Sequence, residues 1–124
     1  MRQLLAKCPL ATSNVALNLR NRQQAREKAN YGPANPGLPN TNYWRALANL
    51  WGTSVNEAKT MRCGNCAAFN VSPGMLKCIA EGLGPEGDPE ATINAGHLGY
   101  CQMFHFKCAS ERTCSAWVYG GPIE

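Results

Sequence analysis

Apolar positions recur with helical spacing most clearly at Trp44, Leu47, Ala48 and Trp51. These fall at i, i+3, i+4 and i+7 and define one face of a helix. Asn42 can cap it ahead of Tyr43, and Gly52 stops it after Trp51. A second short helix starts at Ser54, where Glu57 three residues on completes a capping-box pattern. It carries Val55, Ala58 and Met61 and delivers the chain to Cys63. Upstream, Thr12 to Asn30 reads as a polar helix capped by Ser13 or Asn14, with a thin apolar stripe of Val15, Leu19 and Ala25 or Ala29. Pro33, Pro36 and Pro39 then forbid a helix, so that stretch is extended or turned. The aromatic stripe of residues 44–51 is expected to form core and to roof whatever the cysteines build.

Composition narrows the fold. A chain of 124 residues is one small domain, with room for an extended arm. Twelve glycines and eight prolines predict many turns and little long regular structure; the fold class expected is a small irregular α+β with few regular elements. Seven cysteines in so short a chain point to a disulfide scaffold or a metal centre, because a small core needs staples. Six of them lie between Cys63 and Cys114. The expected organisation is therefore a partly helical N-terminal arm over 1–40, a helical shoulder over 41–62 and a cysteine-rich domain over 63–120.

Several classes are set aside. No run of about 18 apolar residues exists to span a membrane as a helix. Lys7 and Pro9 break the N-terminal apolar run, so it does not read as a secretory signal. The single aspartate, Asp88, leaves little material for carboxylate-dyad chemistry. With no phosphate loop and no nucleophile–base pair, neither an enzyme nor a small-molecule substrate is expected.

Charge is uneven. Residues 1–80 hold ten lysines and arginines against Glu27 and Glu57, whereas 81–124 hold Lys107 and Arg112 against six carboxylates. Arg20, Arg22, Arg26 and Lys28 decorate the first helix and are the candidate partner-binding residues. They are expected to face other protein subunits of a larger assembly; the alternative is that the two halves of the chain attract each other. Nucleic acid is the less favoured partner, because no recognition motif accompanies the basic residues.

The cysteine spacing is Cys63-x2-Cys66-x11-Cys78-x22-Cys101-x6-Cys108-x5-Cys114. Only the first pair has metal-ligand spacing, in which a tight loop aims two thiolates at one centre. A zinc ribbon would need a second such pair or a histidine pair, and His97 and His105 do not supply it. Thioredoxin-type context and ferredoxin spacing are also missing. Two alternatives remain beside a cluster: three disulfides with Cys8 left over, or zinc held by three or four thiols.

Three segments bear on that choice. Met61-Arg62-Cys63-Gly64-Asn65-Cys66-Ala67-Ala68-Phe69 closely resembles the first ligand pair of the high-potential iron–sulfur proteins. Gly99-Tyr100-Cys101-Gln102-Met103-Phe104 is similar to that family's third-ligand segment, and Cys114-Ser115-Ala116-Trp117 to its fourth. The resemblance covers about half of the chain, residues 61–120. It implies a domain stapled by a 4Fe–4S cluster on Cys63, Cys66, Cys101 and Cys114, in a pocket walled by Phe69, Tyr100, Phe104 and Trp117. The chain departs from the family in a longer gap between Cys66 and Cys101 and in two extra cysteines, Cys78 and Cys108. A disulfide between Cys78 and Cys108 bracing that insert is the simplest account; free buried thiols are the alternative.

The expected role is a mainly structural iron–sulfur protein, because assembling a cluster supplies folding free energy that a small core lacks. The layout of arm, compact knob and Trp117-to-Ile123 tail also resembles small cysteine-rich virion proteins of tailed bacteriophages. That resemblance implies a place in a capsid, neck or baseplate, made in the host cytoplasm. A one-electron carrier is the alternative, and a metal-free, disulfide-stapled structural protein a further one.

Overall fold

The computed structural model describes residues 8–124; the stretch 1–7, read above as no secretory signal, lies outside them. The order of elements is α1 (Val15–Ala29), α2 (Thr41–Trp51), α3 (Val55–Ala58), β1 (Phe69–Asn70), α4 (Pro73–Leu83), α5 (Pro89–Gly96), β2 (Leu98–Cys101) and β3 (Phe106–Ala109). Among the described residues, short 3-10 turns lie at Leu10–Thr12, Cys63–Asn65 and Pro85–Gly87. The strands form one antiparallel sheet of order β1-β2-β3, with Phe69 opposite Cys101 and Cys101 opposite Phe106. The fold is thus a small α+β domain.

Strand alternation gives the sheet two faces. Phe69, Gly99, Cys101, Phe106 and Cys108 share one of them. Gly99 is required there: a Cβ on it would strike the Phe69 ring. This face forms a core with Cys66, Tyr31 and Ala25. Tyr100 belongs to the opposite face, where it packs with Ala11 and with Ile79 of α4.

The edges of the sheet are closed by side chains and by the tail, which removes the pairing hazard of open strands. On the β3 edge, Asn18 Oδ1 accepts from Lys107 N–H at 2.7 Å and the Tyr31 hydroxyl accepts from Ala109 N–H at 3.1 Å. On the β1 edge, Ile123 accepts from Val71 N–H at 2.8 Å and donates to Phe69 O at 2.7 Å.

The first helix starts as expected, with Asn14 Oδ1 accepting from Leu17 N–H at 2.9 Å. Its buried face differs from the expected stripe. Ala25 and Ala29 are buried, but Val15 and Leu19 are 65% and 54% exposed. The docking is made by polar groups instead: besides Asn18, the Asn21 amide donates to His105 O at 2.7 Å. The segment expected as an arm therefore contributes Ala25 and Tyr31 to the same core as the cysteines.

The shoulder matches its periodicity. Trp44, Leu47 and Ala48 are buried with Ala58 in a core of their own, and Ser54 Oγ accepts from Glu57 N–H at 3.1 Å. Helix α2 begins at Thr41, one residue before the expected cap, with Asn40 in the left-handed region at its N-terminus.

The insert between Cys66 and Cys101 is more regular than composition suggested. Ser72 caps α4 by accepting from Met75 N–H at 3.3 Å, and Pro73 and Pro89 occupy first-turn positions that tolerate proline. The expected Cys78–Cys108 bridge is corrected: Cys78 is bonded to Cys8, with Cα atoms 5.4 Å apart. The reason is topological. Helix α4 packs on the Tyr100 face, whereas Cys108 points to the Phe69 face. The pattern of three disulfides with Cys8 left over is likewise not found, since Cys63, Cys66, Cys101, Cys108 and Cys114 are free.

Candidate metal centre

Three separate stretches bring five thiols to one pocket. Cys63, Cys66, Cys101, Cys108 and Cys114 line it with Ala68, Phe69, Met103, Ala116 and Trp117. The enclosed space between them is small, about 20 Å³. Among the described residues, no charged side chain lines it.

The first pair is set by a tight turn. Cys66 N–H donates to Cys63 O at 2.9 Å, and the Asn65 side chain locks the loop from outside. Asn65 Oδ1 accepts from Arg62 N–H at 3.0 Å, while its amide donates to Thr60 O at 2.7 Å. Trp117 Nε1 donates to Arg62 O and to Asn65 Oδ1, each at 3.0 Å. Asn65 and Trp117 thus tie the first pair to the segment that carries Cys114. Gly64 N–H donates to Ser110 O at 2.9 Å, which anchors the turn beyond the end of β3.

Backbone amides are directed at the sulfurs. Ala68 and Val118 N–H each donate to Cys66 Sγ at 3.5 Å, and Phe104 N–H donates to Cys101 Sγ at 3.3 Å. The Ala116 amide serves Cys114 in the same way. Such donors stabilise negative charge on sulfur.

The thiols are not electrostatically equal. A hydrogen bond from Cys108, helped by the amides of Phe104, Met103 and His105, brings Cys101 down to about 6 against the opposing effect of burial. Burial pushes Cys114 up to about 12 despite its amide donor. Burial, reinforced by the hydrogen bonds to Cys101 and Cys63, drives Cys108 well above the ordinary thiol range.

Among the described residues, no group of three or more Cys, His, Asp or Glu side chains is arranged to hold a single metal ion.

The expected wall residues divide. Phe69 and Trp117 line the pocket. Phe104 packs beside it and contributes its amide. Tyr100 is corrected: it lies on the other face of the sheet, since it follows Gly99 and precedes Cys101 in an alternating strand. Its hydroxyl sits 3.5 Å from His105 Nδ1. Cys108, Met103, Ala68 and Ala116 complete the pocket and were not expected there. For Cys108 a signal existed: Phe106 and Cys108 are alternate positions of a short apolar run.

The four basic residues of α1 do not form one cluster. Arg22 and Arg26, four apart, share a side of the helix; Arg20 and Lys28 lie elsewhere around it. Arg26 borders a groove lined by Tyr31, Tyr43, Leu47 and Leu50. Among the described residues, no ion pair joins these side chains to the carboxylates of the second half of the chain.

Comparison of the chain with protein-family models, with curated proteins and with solved structures finds no match in any of the three.

Proposed function

We propose that the chain binds a 4Fe–4S cluster through Cys63, Cys66, Cys101 and Cys114, and that the cluster is mainly a structural staple in a component of a larger protein assembly, a bacteriophage particle being the setting its layout suggests. The observation that carries this reading is the meeting of four thiols from three distant stretches in one apolar pocket, with backbone amides directed at three of them. A single zinc ion, with metal–sulfur distances of about 2.3 Å, needs its thiolates inside one small coordination sphere. A cubane instead spreads its four thiolates over four corners. Thiolate donors and an apolar wall also suit iron–sulfur chemistry, in which hydrogen bonds to sulfur and solvent exclusion set stability and potential.

In this reading Asn65 and Trp117 hold the first ligand pair and the fourth ligand in register. Phe69 and Trp117 keep water away, and the amides of Ala68, Val118 and Phe104 offset thiolate charge. Cluster assembly would join the 3-10 turn at Cys63, the end of β2 and the Cys114 segment, which belong to no common helix or strand. That is the role zinc plays in small domains. Arg20, Arg22, Arg26 and Lys28 remain available to neighbouring subunits. The exposed Val15 and Leu19 on the same helix make that surface better suited to protein than to a phosphate backbone.

The test is iron and acid-labile sulfide content of the anaerobically purified full chain. About four of each per chain, with loss of iron in Cys66→Ser and Cys101→Ser, supports the reading. A colourless protein that stays iron-free after reconstitution, with all five thiols titratable, overturns it.

A one-electron carrier is the second reading. It is favoured by Met103, which lines the pocket and is 42% exposed, so the wall is thin on that side. A reversible wave on the isolated protein supports the carrier; an inert cluster supports the staple.

A further inference from the structure

Cys108 has no place in a four-ligand set, yet its position is the most enclosed of the five free thiols. It is 1% exposed, within β3, in the same core as Phe106 and Tyr31. The register puts Cys108 opposite Gly99 and therefore on the same face as Cys101, one diagonal step away. Glycine at that opposite position leaves the sulfur no Cβ to pack against. Its side chain lines the same pocket as those of Cys101 and Cys63, and both pack against the core it belongs to. A fully buried free cysteine among apolar groups behaves as a small hydrophobe with a weak S–H donor.

We propose that Cys108 is a fifth, non-ligating thiol, a positioning residue whose S–H donates to the sulfurs of Cys63 and Cys101 and thereby tunes the cluster bound by the other four. This rests on the cluster reading above. A hydrogen bond donated to a ligand sulfur withdraws electron density from it and favours the more reduced state of the bound group. Cys63 and Cys101 come from separate stretches of the chain, so one S–H shared between them also links two parts of the site. A backbone amide could not do this from the middle of β3, because the strand's own N–H groups are directed in the sheet plane, towards β2 and the edge partners Asn18 and Tyr31.

The full chain, loaded anaerobically, tests it through Cys108→Ala and Cys108→Ser. Both variants are expected to retain the wild-type iron content. The midpoint potential of Cys108→Ala should shift downward, and Cys108→Ser, whose hydroxyl still donates, should recover most of the shift. Wild-type protein supplies a second readout that needs no variant. With four thiols bound to iron and Cys8 bonded to Cys78, the infrared S–H stretch should report one thiol per chain, and that band should vanish in Cys108→Ser. An unchanged potential in Cys108→Ala, loss of iron in either variant, or no S–H band in loaded wild type overturns the proposal and leaves the cluster reading standing. A wild-type chain that takes up no iron overturns both.

Discussion

Removing the Cys8–Cys78 bridge gives the most direct measure of how the fold is held. The bond links residues 70 apart in sequence and ties the start of the described chain to α4. Replacing both by alanine leaves the apolar contacts of Ala11 and Ile79 in place, because neither depends on a sulfur atom. The main loss is the restriction that the crosslink imposes on the unfolded chain. For a closed loop of this length that restriction contributes on the order of 4 kcal/mol. At this chain size each kcal/mol moves the midpoint of thermal unfolding by about 4 °C, so Cys8→Ala/Cys78→Ala should melt roughly 15 °C below wild type. Denaturation followed by circular dichroism, at matched iron content, measures the difference. Wild type treated with a dithiol reductant should approach the variant. A double variant within about 1 kcal/mol of wild type would refute the reasoning. So would a non-reducing peptide map joining Cys78 to Cys108, the pairing expected for the two cysteines that the family resemblance leaves over.

Three further outcomes follow from the geometry around the sheet. Tyr31→Phe strips Ala109 N–H of its acceptor at the β3 edge and should lower stability by about 1–3 kcal/mol in urea denaturation, with the Phe106 ring contact kept. Gly99→Val would drive a side chain into the Phe69 ring and should cost about 1–3 kcal/mol or more, with reduced iron uptake, since Phe69 walls the pocket. In metal-free, thiol-reduced protein, alkylation of Cys101 should rise through about pH 6, whereas Cys114 should resist until about pH 12; peptide mass spectrometry showing equal labelling at pH 7 would contradict this. The sign for stability follows. Cys101 is depressed, so its contribution is complete above the ordinary thiol value and is lost as pH falls through about 6; that of Cys114, which is raised, is complete below the ordinary value and is lost as pH rises towards about 12.

Local signals in the sequence were legible where local physics decides the outcome. Trp44, Leu47, Ala48 and Trp51 formed the predicted face, and Asn14 and Ser54 capped the helices they precede. The meeting of Cys63, Cys66, Cys101 and Cys114 was legible only through the resemblance of three short segments, because nothing in their spacing alone brings residues so distant together. Helix α1 was placed correctly, and Ala25 and Ala29 of its expected stripe are buried, but its first turns do not follow the stripe. Its apolar Val15 and Leu19 face solvent because Asn18 and Asn21 are used to satisfy the β3 edge and the chain just before it, a demand that appears only once the sheet exists. Helices α4 and α5 were hidden by proline and glycine, which here mark helix starts and stops rather than irregular chain. Tyr100 and Cys78 were misassigned for one reason: neither residue shows which face of the sheet it will meet until strand register is known.

That register also explains how a disulfide and reduced thiols coexist in so small a chain. Exchange requires a thiolate to attack a disulfide sulfur directly. Cys101, whose thiol is brought down to about 6, is the readiest nucleophile of the five. Its strand neighbour Tyr100 packs against Ile79, the residue next to Cys78, so the disulfide lies towards the other face of the sheet. The alternation that turns Tyr100 to α4 turns Cys101 to the pocket. Shifting β2 by one residue would reverse both, placing the nucleophile on the disulfide's side and removing it from the other four thiols. Gly99 guards against that slip, since only a residue without a Cβ leaves room for the Phe69 ring at the observed register. The sheet thus partitions an oxidised staple from a reduced thiol set, and the two kinds of cysteine chemistry depend on the same strand register.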